Sequence, residues 1–389
     1  MKWYEALWRV CKRECRQLVQ RPLYVFCMVI APLFCVFFFT SLMEQGLPKK
    51  LPAGAVDEDN SSISRSILRN LNAFEQTAIV GHYTDVAQAT RAMQRGEIYG
   101  FYYIPEGLAR DALASRQPTV SFYNNYAYLI AGSLNYRDMR TMSELAGASI
   151  SLQVLYGKGA TERQAMAIIQ PIVLDIQPLN NPWLNYAVYL CNTLIPGVLS
   201  LMIFMMTVYS IGIEIKQGTA REWLREGRRS ILIALTGKLL PQTLVFFLIG
   251  IFYNVYLYVY LKYPCLGGVA GMIVNTFLFI LASQGLGVVM ITLLPSLRLG
   301  LSFASLWGVV SFSISGFSFP VMAMSPMLQS LAWLFPLRHY FLIYVNHALN
   351  GYAAVYAWSN YLALLGFCLL PFFLLGRLKR ELIYMKYMM

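Results

Sequence analysis

The chain has 389 residues, of which 57% are hydrophobic and only 13% charged. Soluble domains are nearer half apolar and a quarter charged, so this sequence lacks the polar surface a cytosolic enzyme of its size needs. The formal net charge of +12 would mark a nucleic-acid partner in a soluble protein; in so apolar a chain it points instead to basic loops facing anionic membrane lipid, with no nucleic acid expected.

In chain order, Trp3, Tyr4, Leu7, Trp8, Cys11, Cys15, Leu18 and Val19 recur at helical spacing, while Lys2, Glu5, Arg9, Lys12, Arg13 and Arg16 fill the other face. This predicts an amphipathic helix over 1–21 lying in the cytoplasmic interface, with Trp3, Trp8 and Arg9 as interfacial residues. It serves either as an anchor or as a lever against a cytoplasmic partner. A spanning helix needs roughly 20 apolar residues, and a central charge is costly. Charge-free windows predict six transmembrane helices, at 22–43, 185–213, 239–261, 269–294, 299–319 and 358–376. The first has too long an apolar stretch for a signal peptide and no small-x-small cleavage site, so it reads as a retained anchor.

Basic residues set the orientation. Lys2, Arg9, Lys12, Arg13, Arg16 and Arg21 precede the first span. Lys216, Arg221, Arg225, Arg228, Arg229 and Lys238 lie between the second and third, and Arg298 between the fourth and fifth. Arg377, Lys379, Arg380 and Lys386 form a tail over 377–389. Both termini are therefore expected in the cytoplasm and residues 44–184 outside.

That outer segment carries 12 basic and 13 acidic residues and no cysteine, the balance of a soluble domain. Strands are predicted at 53–56, 77–80, 98–104 and 119–123. Helices are predicted at 62–71 (Ile63, Ile67, Leu68 and Leu71 on one face), at 84–95 (Val86, Ala89 and Met93 inward), from Pro105, and at 126–156 and 161–170. The alternation predicts an inserted α/β extracytoplasmic domain. Asp57, Glu58 and Asp59 read as a solvated turn, without the glycine and distal glutamate of a calcium loop. His82, His339 and His347 are the only histidines, with His339 expected at the outer interface. No catalytic, cofactor or metal-ligating residue is assigned.

The loop 214–238 is the most informative stretch. Thr219 with Glu222 three residues on reads as a capping box, opening a short helix through Glu226 that Gly227 ends. With Trp223 and Leu224 exposed, that helix is either a docking knob or an ordinary loop helix on the headgroups.

The run Glu214…Gly218-Thr219…Trp223-Leu224…Gly237-Lys238-Leu239-Leu240-Pro241 resembles the cytoplasmic loop of type-2 ABC transporter permeases. Gly227-Arg228-Arg229 stands where that family often has Thr-Pro. Val56-Asp57-Glu58-Asp59, Gly96-Glu97-Ile98-Tyr99-Gly100, and the stretch from Ser315-Gly316-Phe317 through Pro336-Leu337-Arg338-His339-Tyr340 resemble its drug-exporter-like branch.

The resemblance implies that Glu214, Gly218, Thr219, Glu222, Trp223 and Leu224 form a coupling helix region seated in a separate ABC ATPase, which carries the ATP and magnesium. It implies short re-entrant helices in the outer-leaflet region 320–357, broken by Pro320, Pro326 and Pro336. It also implies a transport path at the interface with a second permease copy or paralogue, with Asn192, Ser302 and Ser305 as candidate path or dimer-interface residues. Small residues in the fifth span equally suit tight helix packing. A phosphate loop is missing, because Gly237-Lys238 lacks the upstream glycine and the following Ser/Thr, and the spans are poor in ionisable groups. The expectation is a non-enzymatic subunit of an exporter of amphipathic or drug-like molecules in a bacterial inner membrane, extended by a periplasmic adaptor and an outer-membrane channel. The rivals are a membrane receptor with a ligand-binding outer domain and a membrane-embedded enzyme.

Overall fold

The computed structural model describes residues 3–384 apart from Ser115 and Trp183; Lys2 and Lys386, counted above, lie outside the described residues. The chain divides into two compact units, Met1–Glu44 with Pro178–Met389, and Gln45–Gln177.

Helix α1 (Trp3–Gln20) buries Ala6, Val10, Cys11 and Glu14. Pro22 opens α2 (Pro22–Val25), its missing N–H harmless in a first turn. The chain then passes through a π-helical turn, Phe26–Ile30, into α3 (Ala31–Leu42).

The second unit runs β1 (Leu51–Asp57), α4 (Ser62–Ala73), β2 (Thr77–Tyr83), α5 (Val86–Gln94), β3 (Gly100–Ile104), α6 (Leu108–Leu113), β4 (Ser121–Asn124), α7 (Leu129–Gly157) and α8 (Glu162–Ile169). The sheet order is β2-β1-β3-β4, with β1 parallel to both neighbours and β4 antiparallel to β3. Side chains alternate across a strand, so both faces are covered. Ala53 and Ala55 pack with Ile67, Leu68 and Leu71 of α4 and Met139 and Met142 of α7, while Val56 packs with Ala89 and Ala92 of α5.

Caps define the helix starts: Ser61 accepts from the Ser64 amide, Asp85 from the Gln88 amide, and Thr161 with Gln164 forms a capping box. Pro105 does not open a helix as the sequence suggests. The chain first turns through Gly107, at φ 82°, and α6 begins at Leu108. The acidic turn is used internally. Asp57 accepts from Ser64 Oγ (2.7 Å), Glu58 from Tyr103 OH (2.8 Å) and Asp59 from the Ala109 amide (3.3 Å).

The remaining helices belong to the first unit: α9 (Tyr186–Gln217), α10 (Ala220–Glu226), α11 (Ile231–Val255, extended by the π-helical turn Tyr256–Tyr260), α12 (Val269–Leu293), α13 (Leu297–Ile314), α14 (Pro326–Ala332), α15 (Pro336–Tyr344) and α16 (Trp358–Tyr384). Six helical segments among the described residues are long and apolar enough to cross a membrane: Pro22–Leu42, Tyr186–Gln217, Ile231–Tyr260, Val269–Leu293, Leu297–Ile314 and Ala354–Tyr384. Of these α9 and α12 are the most buried, and α16 the least.

The small residues of α13 do packing work. Gly300, Ala304, Gly308 and Ser311 are its buried face, and Gly308 lies against Leu201 of α9, as small residues allow between membrane helices. Tyr253 of α11 bonds Tyr340 of α15 (2.7 Å), and Thr276 of α12 lies 3.0 Å from both hydroxyls. His339 is not at an open boundary as expected. It is fully buried, 3.0 Å from Asn360 Oδ1 and 3.0 Å from the Trp333 carbonyl.

Candidate functional site

The site is built where α1, α9, α10 and α11 meet. Helix α9 ends at Gln217, and Gly218 takes a left-handed conformation at φ 71°, which glycine adopts without strain. The chain then reverses into α10. Thr219 has the position of an N-cap, but its backbone is helical and its hydroxyl donates to the Glu214 carboxylate, not to the Glu222 amide. The capping box read from the sequence is therefore not formed. The buried carboxylate one turn earlier is a stronger acceptor, since charge-assisted bonds exceed neutral ones. Glu222 stays exposed in the first turn, where the helix dipole favours an acid.

Trp223 and Leu224 are corrected as well. Neither is exposed in this chain: Trp223 is fully buried and Leu224 nearly so. The Trp223 indole donates to the Ala234 carbonyl at 3.1 Å. Leu224 joins Val10, Ile215, Leu235 and Leu378 in one apolar cluster. A helix this short does not hold itself in water, so its apolar face is spent on anchoring. What α10 presents outward is Arg221, Glu222 and Arg225. Arg221 also donates to the Ile383 carbonyl of α16 at 3.0 Å.

Beneath α10 lies a group of charges that the sequence reading did not bring together. Lys238 of α11, fully buried, bonds Glu14 of α1, also fully buried, and Glu214 of α9 at 3.0 Å. Arg13 of α1 reaches both oxygens of Glu214 at 2.9 Å and stands 3.8 Å from Glu226 at the end of α10. The Lys238 ammonium lies 4.8 Å from the Trp223 ring centroid, a cation–π distance. Glu14, Lys238, Glu214 and Arg13 carry two charges of each sign, so the buried set is neutral, as burial of charge requires. Burial pushes the Glu14 carboxyl up, against the opposing pull of Lys238, and its second oxygen has no protein partner.

Close approach of the helices makes this possible. A Cβ on Gly237 would stand 2.8 Å from Val10 Cβ, so only glycine lets α1 lie this close to α11. The signal for Glu14 was present in the sequence: it sits between Val10 and Leu18 at four-residue spacing, on the face that packs.

The open side of α1 carries Trp3 and Trp8, with Arg9 beside them. Thus α1 has two apolar sides, one packed on α11 and one uncovered. Pro326 and Pro336 each occupy the first turn of a short helix, and Pro320 precedes the 3-10 turn Val321–Ala323. Asn192 is buried, donating to the Val188 carbonyl (2.9 Å) and accepting from Tyr258 OH (2.7 Å). Ser302 is exposed on α13, and Ser305 is half-buried, bonded to the Ser302 carbonyl at 2.9 Å. The structure brings the 214–224 residues together with α1 and leaves Asn192, Ser302 and Ser305 elsewhere.

A family model described as ABC-2 family transporter protein matches residues 22–377. The chain belongs to the ABC-2 transporter family. No curated protein and no solved structure matches it significantly. As an ABC-2 family transporter protein, it is a multi-pass permease, a non-enzymatic component of a system whose ATP hydrolysis belongs to an ABC ATPase. In this permease, the charge cluster beneath α10 joins the N-terminal helix to the ends of two apolar helices.

Proposed function

We propose that this chain is the membrane subunit of an exporter in the drug-exporter-like branch, moving an amphipathic or drug-like molecule out of the cytoplasm or the inner leaflet. In this reading both termini and α10 are cytoplasmic, the unit Gln45–Gln177 lies outside a bacterial inner membrane, and α10 is the coupling helix. The separate ATPase supplies ATP and magnesium chemistry and meets the outward Arg221, Glu222 and Arg225 together with α1. Two permeases enclose the path, with Ser302 and Ser305 of α13 on the uncovered side. The segments around Pro320, Pro326 and Pro336 dip into the outer leaflet, and the outer unit is available to an envelope adaptor and outer-membrane channel.

The observation that carries this reading is the buried link Glu14–Lys238–Glu214–Arg13. It ties α1 to the ends of α9 and α11, and α10 joins it through Glu226, 3.8 Å from Arg13, and through the Trp223 indole, which donates to the Ala234 carbonyl of α11 at 3.1 Å, so a push on α10 reaches two spans through contiguous polar contacts. The test is co-purification of the chain with its ATPase from membranes. Arg225→Glu with Glu222→Lys, both at exposed positions, should abolish association while leaving the permease folded. Unchanged association with both charges reversed would sink the assignment of α10.

A further inference from the structure

A second feature lies apart from the coupling region. Between α11, α12 and α16 runs a groove of about 560 Å³, within the range of ligand sites. Its α11 wall follows one helical stripe from Leu232 to Phe247, roughly 22 Å at about 1.5 Å per residue. Its rim is open, since Leu240, Leu244, Leu369 and Phe372 are exposed.

Two polar features distinguish it from an ordinary lipid-facing crevice. Gln284 of α12 lines the wall and is 3% exposed. Its carbonyl accepts from Thr243 at 2.7 Å, while its amide nitrogen has no protein partner. A buried, unpaired amide is costly unless something fills it. Thr243 sits roughly 16 Å along α11 from Leu232.

The second feature is a basic end. On α16 the lining residues Cys368, Phe372 and Leu375 continue at helical spacing to Lys379. In the turn that precedes α11, Arg228 and Arg229 stand exposed, three to four residues before Leu232. The nearby acids are engaged elsewhere, Glu226 with Arg13 and Glu381 with Arg380, each at 3.8 Å.

We propose that this groove binds an acidic single-chain amphiphile. Its hydrocarbon chain lies along α11, its carboxylate meets Lys379, Arg228 and Arg229, and Gln284 donates to an oxygen carried part-way down the chain. Length, apolar lining and the sign of the charge at one end together select this occupant. The proposal concerns binding by this chain alone and stands apart from docking of the ATPase.

The test uses the full chain in phosphatidylcholine nanodiscs with a diazirine-bearing palmitate as photolabel. Label should concentrate on residues 239–247 and 368–375 and be displaced by oleate. Ricinoleate, which adds one hydroxyl part-way down the chain, should displace it at roughly tenfold lower concentration, the effect of one buried hydrogen bond. Methyl oleate, without the charge, should compete several-fold less well than oleate. Gln284→Leu should remove the ricinoleate advantage without changing oleate, and Lys379→Glu should weaken both acids but not the ester. Leu240→Trp, at a half-exposed position, should fill the groove and suppress labelling even if the Gln284 variant fails to fold. Label spread evenly over outward residues such as Phe34 and Phe373, indifferent to oleate, would overturn the proposal. So would a groove covered by a second copy, read as cross-links between copies in place of lipid.

Discussion

Lys238 holds two carboxylates, Glu14 and Glu214, at a point where none of the three reaches solvent. Removing one member of such a set leaves a charge uncompensated, which costs about 3–5 kcal/mol, whereas removing a balanced pair costs far less. Lys238→Met should therefore destabilise the chain strongly. The double variant Glu14→Leu with Lys238→Met should recover most of the loss, because Glu214 keeps Arg13. Thermal unfolding of the purified chain read through this double-mutant cycle checks it, and additive losses would refute the coupling.

A second residue-scale prediction concerns Asp138. It is buried in the unit Gln45–Gln177, accepts from Thr77 Oγ1 at 2.8 Å, and burial pushes its carboxyl above the usual aspartate value. A raised folded value means protonation favours the fold. The contribution is complete below the ordinary aspartate range and is lost as pH rises through the raised value. Hydrogen exchange of the 129–157 peptide should speed up across that window, and Asp138→Asn should flatten the dependence.

At the scale of elements, α1 depends on a single close approach. A side chain at Gly237 collides with Val10, so Gly237→Val should lift α1 from α11. Two cysteines on α1 report it. Cys15 is exposed and Cys11 buried, so maleimide should modify only Cys15 in the parent and both in the variant. The same element shows where pattern reading stops. Periodicity marks an amphipathic helix over 1–21, where the structure has Trp3–Gln20, yet places Leu7, Trp8, Cys11 and Cys15 on one uniform face. The structure divides that face between a side packed on α11 and an open one, since which apolar residues a neighbouring helix covers is not encoded in the period.

For α10 the pattern marks the helix and its ends but not its orientation. Trp223 is as apolar on a docking knob as in an internal anchor, and only its bond to Ala234 decides between them. In the unit Gln45–Gln177 the strands and helices are legible because alternation and caps are local signals. The β2-β1-β3-β4 order is not, being a matter of which strands meet.

At the scale of the whole molecule, orientation is the property on which the proposed function turns. A membrane-impermeant maleimide applied to intact cells should modify a cysteine introduced at Gly159, in the exposed turn between α7 and α8, and should leave Cys15 unmodified until the cells are opened. Modification of Cys15 from outside would invert the topology and with it the direction of transport.

Sequence alone determined that this is a chain of long apolar helices interrupted by one balanced, charge-rich segment. Composition, window length and side-chain period each act over a few residues, and the free energy of burying apolar helix in lipid does not depend on which helix is the neighbour. Tertiary structure alone decided that Glu14, Lys238, Glu214 and Arg13 form one neutral cluster, that Trp223 and Leu224 face inward, and that Gln284 lines an apolar groove between α11, α12 and α16. A charge can be buried only if a partner distant in sequence arrives beside it. The surplus of +12 marks a membrane protein with basic edges, but which of those charges are held inside it is a fact of three-dimensional proximity.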